Sequence, residues 1–143
     1  MPNIRPLAIC LFRDGDRILV AEGYDPVKRE TFYRPLGGGI EFGERAEQTV
    51  RRELREELSA EVVNLTYLFT LENIFTFNGA DGHEIILVYD GQLNDTSLYA
   101  QDVLEGNEFD GFRQAPFRAV WKHIHEFGPA APLYPEGLHE RLK

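Results

Sequence analysis

Residues 45–58, RAEQTVRRELREEL, constrain the fold of this chain more than any other stretch. Ala46, Val50, Leu54 and Leu58 recur every fourth residue, which lays one apolar stripe along a helix. Such a stripe must be buried against something, and the flanking segments are strand-like. Residues 6–12 form an apolar strand, and RDGD (13–16) is a turn whose Asp-Gly pair favours a tight hairpin. Residues 17–22 return as a strand, 23–30 read as a polar loop, and 31–36 as a short strand running into glycines. Downstream, residues 62–77 are rich in β-branched and aromatic residues and predict one long strand or two short ones. Residues 78–83 read as a turn, 84–92 as a strong strand and 117–121 as a last strand. Residues 93–118 read as the least regular part, with a helical turn near 98–104. Residues 124–127 belong to the tail, with a short helix after Pro135. Strands on both sides of a central helix, with a second helix at the end, predict an α/β fold. The expected form is an α/β/α sandwich around a mixed β-sheet, one domain over residues 1–143.

The bulk numbers agree with such a domain. A chain of 143 residues can bury roughly 68–70% of its unfolded surface. Apolar content of 43% and charged content of 27% are those of a soluble globular protein. A formal charge of −9 argues against a partner that is a nucleic-acid polymer or an anionic membrane, because both need basic surface. It leaves room for a phosphorylated small molecule if a divalent cation sits between phosphate and protein. The single cysteine, Cys10, lies inside LAICLF and reads as a buried strand residue in a reduced compartment. The N-terminus lacks the basic start and apolar core of a signal peptide, and no apolar run is long enough to span a membrane. The expected location is cytoplasmic.

The helix also carries a cluster of acids. At roughly 100° per residue, Glu57 lies about 40° to one side of Glu53 and Glu56 about 60° to the other. The three carboxylates share a face beside the buried stripe. Like charges four apart on a helix repel, and more so when sheltered. Arg51, Arg52 and Arg55 flank the cluster without neutralising it. Either the helix is simply solvated and salt-bridged, or a hard divalent cation occupies the gap. Oxygen-only ligands on a rigid element suit Mg²⁺, which keeps several waters and binds substrate phosphates. Gly37, Gly38 and Gly39 precede this helix and read as a sharp turn where backbone can approach a ligand. A second turn at Gly43-Glu44 leads into the helix.

Together these residues resemble the signature of the Nudix hydrolases. Gly38, Glu44, Arg52, Glu53, Leu54, Glu56 and Glu57 match it in register, within residues 38–60. Two positions depart from it. Ser59 stands where the family has glycine, and Ala60 is small for an aliphatic position. The glycine is a helix stop with a left-handed backbone, so the departure puts the helix end in question rather than the acids. The resemblance implies Mg²⁺-dependent hydrolysis of a diphosphate linked to another moiety, often a nucleoside, with Mn²⁺ as a substitute metal. It implies that Glu53, Glu56 and Glu57 are metal ligands and that backbone around Gly37 and Gly38 supplies a further oxygen. Arg52 would orient the glutamates, Glu44 would brace the loop, and Glu41 would be structural.

A fourth carboxylate is expected beyond the helix. Glu84, at the start of a strand, and Glu108, in the irregular segment, are the candidates for general base, with Glu105 and Asp110 close behind and Glu57 itself a further choice. Arg34 is expected to meet phosphate, and Arg5 and Arg13 less so. His83 reads as a turn residue, and His123 and His125 as exposed. Trp121, Phe112 and Phe117 either stack on a base or belong to the core. The leading expectation is an enzyme acting on nucleoside di- or triphosphates. Its alternatives are a dinucleoside polyphosphate or nucleotide-sugar hydrolase and a non-catalytic nucleotide-binding regulator. A homodimer is compatible with the small size.

Overall fold

The computed structural model describes residues 2–110 and 113–143. Among these residues, seven strands and two α-helices follow one another as β1 (Arg5–Asp14), β2 (Arg17–Asp25), β3 (Glu30–Gly39), α1 (Ala46–Leu58), β4 (Val62–Phe77), β5 (Ala80–Leu93), β6 (Val103–Asp110), β7 (Arg113–His123) and α2 (Leu138–Leu142). The sheet order is β4-β5-β1-β3-β2-β7-β6, with β1 also touching β2. The β1–β5 pair is parallel and the others are antiparallel, so the sheet is mixed. A parallel pair needs a long crossover. Here the crossover includes β2, β3, α1 and β4.

β1 is an interior strand, and it reads as an unbroken apolar run because both of its faces are buried. Ala8, Cys10 and Phe12 point to the core under α1, with Val50, Leu54 and Trp121. Leu7, Ile9 and Leu11 point the other way, into a core closed by Phe127, Leu133, Leu138 and Leu142. The second face is covered by a short 3-10 turn (Ile124–Glu126), the chain after it and α2. The expected sandwich, with helical elements on both faces of a mixed sheet, is therefore present. No helix among the described residues is long and apolar enough to cross a membrane.

Four local expectations are corrected. Residues 23–30 are not all loop: β2 runs to Asp25 and β3 starts at Glu30. Asp25 is buried and accepts from the backbone N–H groups of Val27, Lys28 and Asn78, so it ties the β2–β3 turn to the β4–β5 turn. The turn expected over residues 78–83 shrinks to Asn78-Gly79, since Phe77 already pairs with Ala80. Residues 93–118 are mostly ordered as the β6–β7 hairpin, preceded by a 3-10 turn at Thr96–Ala100 rather than a helical turn at 98–104. Finally, Gly37, Gly38 and Gly39 do not form a turn. They are paired strand residues of β3, opposite Ile9, Ala8 and Leu7.

α1 ends as its signature departure suggests. Ser59 is left-handed, with φ 53° and ψ 33°, and its N–H donates to Arg55 O at 3.0 Å. A side chain in that region costs roughly 1–2 kcal/mol that glycine avoids. Ser59→Gly should therefore raise the unfolding free energy by about 1 kcal/mol, read as a shift of the urea midpoint at constant slope. A destabilised Ser59→Gly variant would show that the serine side chain itself holds the helix end.

Candidate active site

The site is organised around Arg52 on α1. Its Nε donates to Glu44 Oε2 at 2.8 Å and its Nη2 to Glu44 Oε1 at 3.0 Å, a two-pronged contact that suits the planar guanidinium. Nη2 also reaches Gly39 O at 3.0 Å. Nη1 donates to Glu53 Oε1 at 3.0 Å and Glu56 Oε2 at 3.3 Å, and lies 3.6 Å from Glu41. One side chain thus fixes the end of β3, the turn before the helix and the acids of the helix. Glu44 is itself held by Thr49 Oγ1 at 2.6 Å and by the Glu41 N–H at 3.2 Å. It braces the loop, as the resemblance implies.

Glu57 lies one turn after Glu53 and is only 6% exposed. Burial pushes its carboxyl well above the ordinary range. A hydrogen bond to Glu53, and the charges of Glu53 and Glu108, push the same way against Arg34. β6 lies against this end of α1: a side chain on Gly106 would strike the backbone O of Glu57, so only glycine lets the strand come so close. On the other side, a Cβ on Gly38 would sit 2.5 Å from the Glu53 carboxylate, and one on Gly37 would strike Ala8 O. Gly38 therefore serves close approach of β3 to the helix acids, and Gly37 close approach of β3 to β1.

Glu53, Glu56, Glu57, Gly37, Gly38, Gly39, Arg34, Glu84 and Glu108 all line one cleft of about 930 Å³. Glu108 is not in a loop. It lies on β6 opposite Ala115, with Arg34 at 3.7 Å. Glu84 is the fifth residue of β5, buried, with Arg5 at 3.7 Å. Arg5 also lines the cleft, whereas Arg13 pairs with Ile18 at the β1–β2 hairpin and does not. Glu105, on β6, pairs with Arg118 on β7, outside the cleft lining. Phe112 and the side chain of Asp110 lie outside the described residues. Trp121 and Phe117 are buried in the core under α1, where Trp121 stacks on Tyr99 at 5.0 Å and donates to Leu98 O, so neither reaches the cleft. His83 is a strand residue paired with Ile74, not a turn residue. His123 and His125 are exposed and stacked on each other at 5.2 Å.

The cleft has a second, aromatic end that the sequence did not reveal. Phe32 packs against Phe77 and Tyr134, with ring centroids at 5.8 and 5.6 Å, and Phe75 lines the same wall. Tyr134 comes from the C-terminal segment, which docks on β3 through Tyr33 N–H to Pro132 O (2.9 Å) and Tyr134 N–H to Tyr33 O (2.8 Å).

Among the described residues, no three His, Cys, Asp or Glu side chains are already assembled closely enough to hold a metal ion. Glu56 leans on Arg52 instead. The Glu53–Glu57 pair nevertheless fits a divalent cation. Two carboxyls meet in a sheltered place where both cannot carry charge alone, and their donors are hard oxygens beside backbone made accessible by Gly38.

Comparison with known proteins gives a consistent picture. The NUDIX domain family model matches residues 2–137. The NAD-capped RNA hydrolase NudC of Pseudomonas aeruginosa is 42% identical over 67 residues, which is 47% of this chain and 23% of that protein. The mitochondrial NAD(P)H pyrophosphatase NUDT13 of Homo sapiens is 41% identical over 66 residues, 46% of this chain and 18% of that protein. The chain thus spans about a quarter or less of these relatives. Among solved structures, the MutT NUDIX hydrolase from Burkholderia pseudomallei superposes with a TM-score of 0.63 at 20% identity, covering 98% of this chain and 95% of that one. The MutT protein from Bacillus halodurans does so at 0.59 and 18% identity, covering 96% and 79%. At such identities the likeness is one of fold.

The Arg52 brace predicts a pH dependence. Hydrogen bonds from Arg52, with help from Thr49 and the Glu41 N–H against burial, hold the Glu44 carboxyl down to about 2 from its ordinary 4.5. A depressed folded-state pKa stabilises the protein above the unfolded value, and that stability is lost as pH falls through the folded value. Denaturant midpoints of the wild type should therefore drop between about pH 4.5 and pH 2 more steeply than those of Glu44→Gln. Parallel curves would show that the brace does not carry this stability.

Proposed function

The chain belongs to the NUDIX family, and from that premise we propose that it is a divalent-metal-dependent hydrolase that cleaves the pyrophosphate of a nucleoside diphosphate linked to another moiety. The observation that carries this reading is the buried Glu57 carboxyl set against Glu53, beside the glycine strand and under the Arg52 brace. Glu53, Glu56 and Glu57, with a backbone oxygen near Gly38, would hold Mg²⁺, or Mn²⁺ in its place. When bound, the cation offsets the charge of the diphosphate and makes water a better nucleophile near neutral pH. Arg52 fixes the direction of Glu53 and keeps Glu56 at the mouth. Arg34 and Arg5 are the cations that meet phosphate. Each of the two outlying carboxylates has an arginine at 3.7 Å, and Glu108 is the better base because its side chain is 47% exposed and can exchange a proton with water, while that of Glu84 is 11% exposed.

Nucleoside di- and triphosphates are the first substrate class in this proposal. The relatives' names bring NAD-type dinucleotides and capped RNA into the same chemistry, so the sequence-based exclusion of a polymer is not kept. A reduced, cytoplasmic setting for Cys10 belongs to the same proposal. The competing reading is a nucleotide-binding regulator without turnover.

The test is nucleotide or phosphate release from nucleoside triphosphates, dinucleoside polyphosphates, ADP-ribose, NADH, nucleotide sugars and NAD-capped RNA. Each would be run with Mg²⁺, with Mn²⁺ and with chelator. Turnover should require metal and fall on the order of 10²–10³-fold in Glu57→Gln, since a Lewis-acid cation supplies several kcal/mol. Turnover indifferent to chelator or to Glu57→Gln would refute the metal site. Tight nucleotide binding without any turnover would favour the regulator.

A further inference from the structure

β4 ends the sheet. Among the described residues its one strand neighbour is β5, so its other side is a free edge. A free edge presents unpaired N–H and C=O groups, and proteins guard it with lysines, prolines, bulges or short strands. The first half of β4 has such protection, with register shifts between Val63 and Thr66 and between Tyr67 and Phe69. The second half has none. Residues 69–77 run in unbroken register against β5, contain no lysine or proline, and carry one charge, Glu72. Of the eight large apolar side chains exposed among the described residues, Tyr67, Leu68, Ile74 and Phe77 lie on β4. The exposed apolar surface is thus concentrated on the strand least defended against pairing.

The β4–β5 turn fixes which groups face outward. Asn78 and Gly79 have φ of 51° and 79°, the left-handed pair of a two-residue turn, so Phe77 and Ala80 close the hairpin as a hydrogen-bonded pair. Bonded positions alternate back along the strand. Residues 69, 71, 73 and 75 therefore bond to β5, and the N–H and C=O groups of Thr70, Glu72, Ile74 and Thr76 point to the free edge. The side chains of these four residues are all exposed.

What satisfies a free backbone edge is another strand. The strand that fits this one is its own copy. Residues 69–77 are centred on Asn73, so a two-fold axis there pairs the whole run antiparallel with no overhang. It sets Phe69 against Phe77, Thr70 against Thr76 and Leu71 against Phe75. Aromatic pairs and threonine pairs are among the favourable cross-strand contacts. Glu72 falls opposite Ile74, so the single acid of the run does not meet itself. Net charge points the same way. Each chain carries −9, and two copies repel over most of their surfaces, but least along this nearly uncharged edge.

We propose that the protein is a two-fold dimer in which β4 pairs antiparallel with β4 of a second copy about Asn73, joining two seven-stranded sheets into one. Residues 73–77 also line the cleft, so the second copy backs its outer wall. The inference goes beyond the hydrolase reading and uses neither metal nor substrate.

The experiment is sedimentation of the full chain over a range of concentrations, with amide hydrogen exchange read residue by residue. The wild type should reach the mass of two chains, and the Glu72 and Ile74 amides should gain protection as it does. Ile74→Glu sets acid against acid at both symmetric contacts and should raise the dissociation constant on the order of tenfold or more. Adding Glu72→Lys to that variant should restore the dimer, because positions 72 and 74 of the two copies face each other. Such a rescue also shows that the single variant folds. Phe42→Glu, at an exposed apolar residue off the strand, should leave the constant unchanged. A wild type that stays monomeric would overturn the proposal. So would a dimer indifferent to Ile74→Glu, a double variant that is not rescued, or edge amides that exchange as fast in the dimer as in the monomer. No reading involves a nucleotide, so the dimer can fail with the hydrolase intact, and the hydrolase with the dimer intact.

Discussion

The guanidinium of Arg52 is the contact on which the site depends. It joins three pieces of chain: the Gly39 carbonyl at the end of β3, Glu44 in the turn before α1, and Glu53 and Glu56 on the helix. A lysine could not reproduce it, because one ammonium cannot grip Glu44 with two parallel bonds and still reach the other acceptors. With Arg52 in place, Glu53 is presented to Glu57 rather than turned to solvent. β6 packs on the backbone of Glu57 through Gly106, and the burial of the Glu57 carboxyl makes the pair a poor place for two bare charges.

This arrangement also explains why the glycines before the helix are needed. They are strand residues whose missing side chains let the sheet and the helix acids come together. Gly38 faces the flexible end of Glu53, whereas Gly37, at φ 150°, faces the backbone of β1. Function and fold therefore use neighbouring glycines differently. A side chain at Gly38 would displace an acid, and one at Gly37 would separate β3 from β1.

Much of this was legible in the sequence, for identifiable reasons. The fourfold recurrence of Ala46, Val50, Leu54 and Leu58 fixed α1 and the face that carries Glu53 and Glu57. The resemblance of Gly38, Glu44 and Arg52 to the family signature implied the brace. What was misread follows from local ambiguity. Three glycines in a row look like a turn, and only tertiary pairing with β1 makes them a strand. Val103–Asp110 looks irregular because it is an edge strand carrying Glu105, Asn107 and Glu108 on exposed positions. The aromatic end was hidden because Phe32, Phe75 and Phe77 alternate as core residues do, and because Tyr134 arrives from a segment a hundred residues away from its partner Glu30. Trp121, the aromatic residue easiest to notice, proved to be core.

The central claim is that the gap between Glu53 and Glu57 is a divalent-cation site. Anomalous scattering from crystals grown with Mn²⁺ tests it most directly. The account predicts a peak within coordination distance of Glu53, Glu57 and backbone oxygen near Gly38. A peak at Glu84 alone, or no ordered ion near α1 at saturating Mn²⁺, would contradict it.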